Sequence, residues 1–329
     1  MKKRTFFSIL CLSLAVIMAG CEKDDEKQNN TPEQNPQEEV DPTSMSSTDV
    51  YTDGKLPGLF SVAEGKQVYF SKGNLQYQAS TSTWRFATEQ YTYIGADNEN
   101  IGANYTGWID LFAWGTSGWQ GSGAAGYMPY SFSTETEDFL IGGASNNDLV
   151  GEYANADWGV YNAISNGGNQ AGMWRTLTAE EWTYIFAGRT NAANLRCIAT
   201  VCNECGVVIL PDNWNSREMG TIKPNGIFTE NKFEGETWTK MQSNGAVFLP
   251  AAGYRTLKSP GVMKMNGLYW SVNANPNAQR ADYIYGLVFN TGYTDLNGVG
   301  GIHTPGPGAN DGEIQRYLGA SCRLVQDTK

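Results

Sequence analysis

The chain has 329 residues and six cysteines, and its formal net charge at pH 7 is −11. Nucleic-acid-binding proteins carry a basic patch or stripe, and the Lys and Arg residues of this sequence form none, so no nucleic-acid partner is expected. After the first twenty residues, no apolar stretch is long enough to form a transmembrane helix.

The N-terminus resembles a bacterial lipoprotein signal. A basic region at residues 2–4 precedes an apolar stretch at residues 6–18 that is too short to span a bilayer with its flanks. The run VIMAGC then matches the lipobox pattern of bacterial lipoproteins, with Met18 as a mild departure. We predict that residues 1–20 are removed and that Cys21 is acylated, which would attach the protein to a membrane. An ordinary cleaved signal followed by a chance cysteine is the alternative.

Residues 21–54 are predicted to form a disordered acidic tether. The segment is polar, rich in Gln, Asn and Pro and nearly without apolar residues, so it cannot bury enough surface to fold. The acidic run EKDDE directly after Cys21 resembles the surface-export signal of some outer-membrane lipoproteins, although a solvated charge run has the same composition. We therefore expect a lipid-anchored outer-membrane protein that faces the cell exterior.

The remaining sequence predicts an α+β fold. Residues 55–106 contain short runs of alternating apolar and polar residues, such as KQVYFS and TWRFAT, which favour an antiparallel β meander. Residues 107–151 are irregular and rich in Gly, and we expect their tryptophans to hold long loops in place. The run DWGVYNAI that follows predicts a short helix.

A second helix is predicted in GMWRTLTAEEWTYIFAGR. Thr178 and Glu181 fit the T-x-x-E capping box, so the helix should begin after Thr178. Trp182, Ile185 and Phe186 recur at helical spacing and are expected to face the core. Acidic residues at a helix start complement the helix dipole, so a structural role for the two glutamates is favoured over a catalytic pair.

The last part of the chain is predicted to be mostly β. RCIATVCNECGVVIL predicts a hairpin that turns near Asn203 and Glu204, and FLPAAGYR predicts another buried strand. Further strands are predicted near residues 268–272, 283–289 and 320–325.

Several of these pieces together resemble one family. WRTLTAEEW resembles the W-R-L-P-T-x-x-E-W motif of the FISUMP (major paralogous domain) family and of the formylglycine-generating sulfatase-modifying proteins. FLPAAGYR, GLYWS and GASCRLV match the same family in the same order, whereas Thr176 and Leu177 replace the usual Leu-Pro. The resemblance implies that residues 107–329 form a C-type lectin-like (sulfatase-modifying-factor-like) domain with an antiparallel β core, a few short helices and long loops.

The resemblance does not extend to the family's known catalysis. The formylglycine-generating enzymes use a pair of reactive cysteines near the C-terminal end to bind copper, and here Cys322 is the only cysteine after Cys205. His303 is the only histidine, which excludes multi-histidine metal sites. Cys202 and Cys205 spell C-x-x-C without a second pair for zinc, and both a disulfide and two unreactive thiols fit the sequence. We therefore predict no catalytic residues, no metal ligands and no cofactor.

The last third of the chain is predicted to carry a ligand-binding face, because the implied fold exposes loops there. The sequence between Trp270 and Arg316 is dense in Asn, Asp, Tyr and Gly, a mixture that supplies rigid contact area and adaptable hydrogen bonds. The candidate ligand-binding residues are Asn273, Asn275, Asn277, Arg280, Asp282, Tyr293, Asp295 and Asn297. The Gly-rich middle loops around Trp114 and Trp119 are the alternative location.

These features predict a lipid-anchored cell-surface protein with a non-catalytic C-type lectin-like domain that binds a glycan or a protein. A structural or fimbria-associated surface component is the first alternative. A polysaccharide-active hydrolase is the second, because a fold alone never excludes catalysis, although the spacing of Asp and Glu residues indicates no catalytic pair.

Overall fold

The computed structural model describes residues 53–293, 301–305 and 312–328. These residues all fall in one compact unit, Met45–Lys329. The unit is α+β, with mostly antiparallel sheets and few, short helices, which confirms the predicted fold class. The predicted lipidation site Cys21, the signal and most of the tether lie outside the described residues, as do Asp295 and Asn297.

The elements are short and numerous. The strands are β1 (Lys55–Ala63), β2 (Lys66–Ser71), β3 (Leu75–Gln78), β4 (Thr83–Phe86), β5 (Arg196–Val201), β6 (Glu204–Ile209), β7 (Lys232–Phe233), β8 (Val247–Pro250), β9 (Tyr254–Thr256), β10 (Ser259–Gly261), β11 (Asn266–Ala274), β12 (Tyr283–Asn290), β13 (Gly301–His303), β14 (Glu313–Gln315) and β15 (Val325–Asp327). The α-helices are α1 (Trp158–Tyr161), α2 (Ala179–Thr183), α3 (Ser216–Met219) and α4 (Gly235–Ser243). A π turn, Tyr184–Gly188, continues α2, and 3₁₀ turns occur at Ala79–Thr81, Gly95–Glu99, Gln120–Ser122, Thr136–Phe139, Ile141–Gly143, Gly151–Ala156, Ala192–Asn194 and Ala278–Arg280. Across the described part of the chain, no helix has the length and apolar character needed to cross a bilayer.

The N-terminal and C-terminal ends of the described chain share a sheet. β2 lies between β1 and β15 and pairs antiparallel with both. On the inner face, Leu56 and Phe60 of β1 join a hydrophobic cluster with Trp182 and Leu249. Residues 56–70 therefore pack into one hydrophobic cluster with later parts of the chain, and residues 75–101 contribute to another.

A second sheet, called here the central sheet, has the strand order β7-β5-β6-β8, in which only the β5–β7 pair is parallel. The predicted hairpin is β5–β6, but its turn is formed by Cys202 and Asn203, one residue earlier than expected. Both turn residues have positive φ, the conformation that a two-residue hairpin turn requires. Consecutive residues such as Val207 and Val208 point to opposite faces and belong to different hydrophobic clusters, so the sheet is buried on both faces.

The hairpin cysteines are free thiols. Cys205 belongs to the cluster on one face of the central sheet, whereas Cys202 packs against the cluster on the other face. Because the two side chains lie on opposite sides, they are not placed to form a disulfide. Of the two possibilities that the sequence leaves open, the structure has the thiols.

The predicted second helix is present and begins where expected. The Thr178 hydroxyl accepts a hydrogen bond from the Glu181 amide at 3.0 Å, and the Glu181 carboxylate accepts one from the Thr178 amide at 2.9 Å. This confirms the capping box. Arg175 donates to both Glu181 oxygens, at 2.7 and 2.8 Å, and its side chain also pairs with Asp327 of β15. The start of α2 is thereby attached to the edge of the first sheet.

Another sheet carries the C-terminal candidate region. β11 pairs antiparallel with β12, and β12 pairs further along with β13 and β14. Trp270 of β11 is buried, and its indole donates to the main-chain carbonyl of Phe112 at 2.8 Å. This hydrogen bond joins β11 to the glycine-rich middle of the chain.

Candidate functional site

Two adjoining cavities form a groove where α2 meets the β11–β12 hairpin. One cavity measures ≈ 500 Å³ and the other ≈ 410 Å³. Ala179, Glu180 and Tyr285 line both cavities, so the two lie side by side. The larger one is called the apolar half of the groove and is further lined by Thr183, Tyr184, Ala187, Gly188 and Pro305. The smaller one is called the polar half and is further lined by Asn146, Asp148, Thr178, Asn273, Ala274 and Pro276.

The two tyrosines reach the apolar half because of the periodicity of their elements. Trp182, Ile185 and Phe186 are buried on the core side of the helical segment, which leaves Tyr184 on its outer side. In β12, Tyr285 lies between the buried residues 284 and 286 and therefore points to the opposite face of the strand. A helix and a strand thus each contribute one aromatic ring to the same cavity.

The wall of the apolar half is fixed by one hydroxyl. The Thr183 Oγ1 atom lies 3.0 Å from the carbonyl oxygen of Ala179 and 3.1 Å from that of Pro305. The first contact is within α2, and the second spans 122 positions of sequence. Thr183 therefore holds Pro305 beside the helix.

The polar half is organised by a side-chain amide. The Asn273 Oδ1 atom accepts a hydrogen bond from the Ala179 amide at 2.9 Å, and its Nδ2 donates to Asp148 at 2.9 Å. The other Asp148 oxygen accepts from the Ala274 amide at 2.8 Å. The carboxylate is therefore held in a fixed orientation at the groove by two donors from β11.

Only Asn273, among the described candidates, lines the groove. Asn275 is buried and donates to Glu313, which also pairs with Arg280. The Arg280 guanidinium in turn lies 3.8 Å from the centre of the Tyr283 ring. These contacts indicate that Asn275 and Arg280 fix the β12–β14 region.

The other described candidates also make contacts within the protein, and the Asn277 amide donates to the Asn275 Oδ1 at 2.9 Å. The Asn277 side chain accepts from the Gln279 amide and caps a 3₁₀ turn. The main-chain carbonyl of Asp282 accepts from the Arg316 amide at 2.8 Å. Tyr293 is 44% exposed, and its ring centre lies 5.7 Å from that of Phe228. Of the described candidates, Asn275, Asn277 and Arg280 are therefore joined by hydrogen bonds, but none of these three lines the groove.

Several of the groove residues were not predicted from the sequence, for different reasons. Glu180 was assigned only a dipole role, yet its exposed side chain lines both cavities. Tyr184 and Tyr285 could have been found, because each is an aromatic residue at a position that periodicity assigns to the outer face. Asp148 could not, because its partner Asn273 lies 125 positions away.

Cys322 and His303 both lie outside the groove. Cys322 is fully buried, and desolvation raises the pKa of its thiol well above the usual value. His303 is exposed at the end of β13. Within the described ranges, no three His, Cys, Asp or Glu side chains are grouped so that they could hold a metal ion.

Comparisons with known proteins add no template for the groove. No family model, no curated protein and no solved structure matches the chain. The chemistry of the site therefore has to be argued from its own residues.

Proposed function

We propose that this chain is a lipid-anchored surface protein with a non-catalytic, C-type lectin-like domain that binds a glycan or a protein. The groove is the observation that carries the proposal. It is concave, its cavities fall in the range of about 300–1,000 Å³ typical of ligand sites, and it combines apolar walls with a few convergent polar groups. A second support is that Asn273, which lines it, belongs to the face predicted from sequence.

The family resemblance supports a C-type lectin-like fold for the domain. WRTLTAEEW contains the capped start of α2, and GLYWS lies within β11. In GASCRLV, Ser321 bridges Tyr269 of β11 and Val325 begins β15. Residues of all four motifs, among them Trp182, Leu249, Tyr269 and Val325, belong to one hydrophobic cluster. WRTLTAEEW also contributes residues that line the groove.

The anchoring part of the proposal rests on Cys21 and the segment that follows it. The Cys21→Ala variant should lose incorporation of a clickable palmitate analogue and should leave the membrane fraction. Normal labelling of that variant would contradict lipidation. Neutralising the acidic run after Cys21 should leave the lipid in place and reduce protease access on intact cells.

The binding part is tested with the full chain on a glycan array and a protein array. We expect saturable binding on one of them, and we expect the Tyr184→Ala and Tyr285→Ala variants to lose it while keeping the parental melting temperature. Tyr161→Ala is the matched control, because that ring is 41% exposed on α1 and does not line the groove. Loss of binding in the control alone would move the site away from the groove.

A polysaccharide-active hydrolase is the second candidate, because the polar half is lined by two carboxylates, Asp148 and Glu180. Glycoside hydrolysis commonly uses two such groups on either side of the scissile bond. Release of new reducing ends from a polysaccharide, abolished by Glu180→Gln, would favour this candidate. Binding without product release favours the non-catalytic domain.

A further inference from the structure

We propose that the groove binds a neutral glycan, with sugar rings against Tyr184 and Tyr285 and sugar hydroxyls bonded to Asp148 and Asn273. This inference rests on the proposed function, to which it adds the chemical class of the ligand. It follows from the division of the groove into two halves, from the hydrogen-bonding capacity of the polar half and from the charge of the lining.

The apolar half suits the faces of sugar rings. Tyr184 and Tyr285 present aromatic surface that is rigid and costs little conformational entropy to order. A pyranose ring has an apolar face of C–H groups and a polar edge of hydroxyls, so an aromatic side chain can cover the face while leaving the edge to other groups. Ala187 and Gly188 add no polar side chain to this half.

The polar half has hydrogen-bonding capacity left for such an edge. Each oxygen of the Asp148 carboxylate takes one protein donor, whereas a carboxylate has roughly four acceptor positions in total. The Asn273 amide nitrogen uses one of its two hydrogens on Asp148. A ligand hydroxyl can therefore donate to the carboxylate and accept from the amide without displacing a protein bond.

The charge of the lining selects against anionic ligands. Asp148 and Glu180 are acidic, and none of the described residues that line the groove is Lys, Arg or His. The whole chain is also acidic, with a net charge of −11. A sulfated or uronic-acid-rich glycan would meet like charge without a compensating cation, whereas a neutral glycan brings hydroxyl donors to the acceptor-rich side.

A peptide is less suited to this surface, because neither β11 nor β12 offers a free edge among the described residues. β12 is flanked by β11 on one side and by β13 and β14 on the other. On the far side of β11, the Val272 amide donates to the Leu177 carbonyl, and the Trp270 amide donates to that of Ser321. Addition of a peptide strand, a common mode of peptide recognition, is thus blocked here. The groove therefore contacts a ligand through side chains, and aromatic rings beside amide and carboxylate groups suit the recognition of sugars.

The inference is tested by calorimetric titration of the full mature chain in detergent. The probes are hexasaccharides of glucose, mannose and N-acetylglucosamine, with hexagalacturonate as the anionic comparison. We expect at least one neutral probe to bind, with an affinity that changes little when about 0.5 M NaCl is added, because no ion pair is involved. Tyr285→Ala should weaken that binding at least tenfold, and Tyr285→Phe should largely restore it. Tyr161→Ala should bind like the parent.

Tyr184→Ala is a second test of the same groove, should Tyr285→Ala fail to fold. Failure of every neutral probe to bind, or unchanged binding in both folded tyrosine variants, overturns the inference. Binding of hexagalacturonate alone, or of a protein alone on the arrays, overturns the neutral-glycan class while leaving the proposed ligand-binding function in place. If no ligand binds on either array, the proposed function itself fails.

Discussion

The central sheet and the irregular segment at residues 107–175 are stabilised by different means. In β6 and β8 the main-chain groups are paired in ladders, and Val207, Val208 and Phe248 are completely buried. The irregular segment consists of short turns and one short helix, and it is held by isolated main-chain hydrogen bonds together with side-chain hydrogen bonds to distant parts of the chain. Trp114, for example, is completely buried and donates its indole N–H to the Ser271 carbonyl at 2.9 Å.

Buried charged side chains also form hydrogen bonds with main-chain groups in and beside the irregular segment. The guanidinium of Arg316 is buried and donates to the carbonyls of Phe139 and Ser145, at 3.1 and 2.8 Å. Asp157 is buried and accepts hydrogen bonds from the Thr176 and Gly159 amides, at 2.8 and 3.1 Å. A buried main-chain group without a partner is costly, so a segment without ladders needs polar side chains in its interior. We therefore expect the sheet to be sensitive to lost volume and the segment to be sensitive to lost polarity.

The largest effect is expected for Trp182→Ala, which removes the side chain that covers one face of the central sheet. The ring is completely buried and lies 6.0 and 6.3 Å from the ring centres of Phe70 and Phe186. A large cavity of this kind should lower the free energy of unfolding by about 3–5 kcal/mol. Chemical denaturation measures this, with the exposed Tyr161→Ala as the control. A Trp182→Ala protein as stable as that control would show that this face is not important for the fold.

The next effect concerns pH and the irregular segment. Burial raises the pKa of Asp157 from 3.8 to about 6, because the ionised form loses its water. A folded-state pKa above the unfolded one stabilises the fold below about pH 3.8, and this contribution is lost as the pH rises through about 6. At about 1.4 kcal/mol per pKa unit, the loss is on the order of 3 kcal/mol. The stability of the parent relative to Asp157→Asn should therefore fall between pH 4 and pH 7.

Asp212, at the end of the central sheet, supplies the contrast. Burial opposes its ionisation, but hydrogen bonds from Ser61, Gln67 and Arg189 outweigh this and lower the pKa of the carboxyl. A depressed pKa gives stability that is present above the unfolded pKa and is lost as the pH falls through the folded one. The parent should therefore lose stability relative to Asp212→Asn as the pH falls below about 4. Slopes of the same sign for the two variants would contradict the comparison.

A somewhat smaller effect is expected for Arg316→Met, which keeps most of the side-chain volume and removes the guanidinium. Burial lowers the pKa of Arg316 to about 10, so the group is still a cation at pH 7. Its loss leaves the Phe139 and Ser145 carbonyls without these donors, and we expect a cost of about 1–3 kcal/mol. Limited proteolysis should become faster between these two residues. The exposed Arg217→Met is the control, and an unchanged cleavage pattern in Arg316→Met would count against the assigned role.

The same contrast explains what the sequence could predict. The capping box, the buried face of α2 and the β5–β6 hairpin are written in short-range patterns, and the structure contains all three. The interactions of the irregular segment are not local, since Arg316 and Phe139 are 177 positions apart. No periodicity relates such a pair, so only the short helix α1 and the irregularity of the rest of the segment were predictable.

The candidate site divides in the same way. Tyr184 and Tyr285 occupy outer positions that periodicity assigns, but their convergence on one groove depends on how α2 packs on the β11–β12 hairpin. Composition alone could not separate ligand contacts from structural ones. Asn275 and Arg280 have the chemistry of binding residues, and in the structure both are bonded to Glu313. Polar side chains in loops satisfy the protein's own groups as readily as those of a ligand.

The smallest effect is expected from a reducing agent, because the described cysteines are free thiols. Dithiothreitol should leave the melting temperature unchanged, and Cys202→Ser should unfold like the parent. The buried cysteines can also be used to follow the unfolding of the central sheet and of the irregular segment separately. Cys205 packs within the cluster on one face of the central sheet, whereas Cys322 shares a cluster with Trp114 and Trp158 of the irregular segment.

Alkylation with iodoacetamide, followed by peptide mass spectrometry, should therefore distinguish the two regions. In the native protein Cys202 should react first, because it is the one described cysteine that is not fully buried. As denaturant is added, Cys322 should become accessible before Cys205. The irregular segment that packs on Cys322 is held by isolated hydrogen bonds, whereas the strands around Cys205 are paired in continuous ladders. Simultaneous exposure of both thiols would mean that the sheet and the irregular segment unfold as one unit, whatever the difference in how each is stabilised.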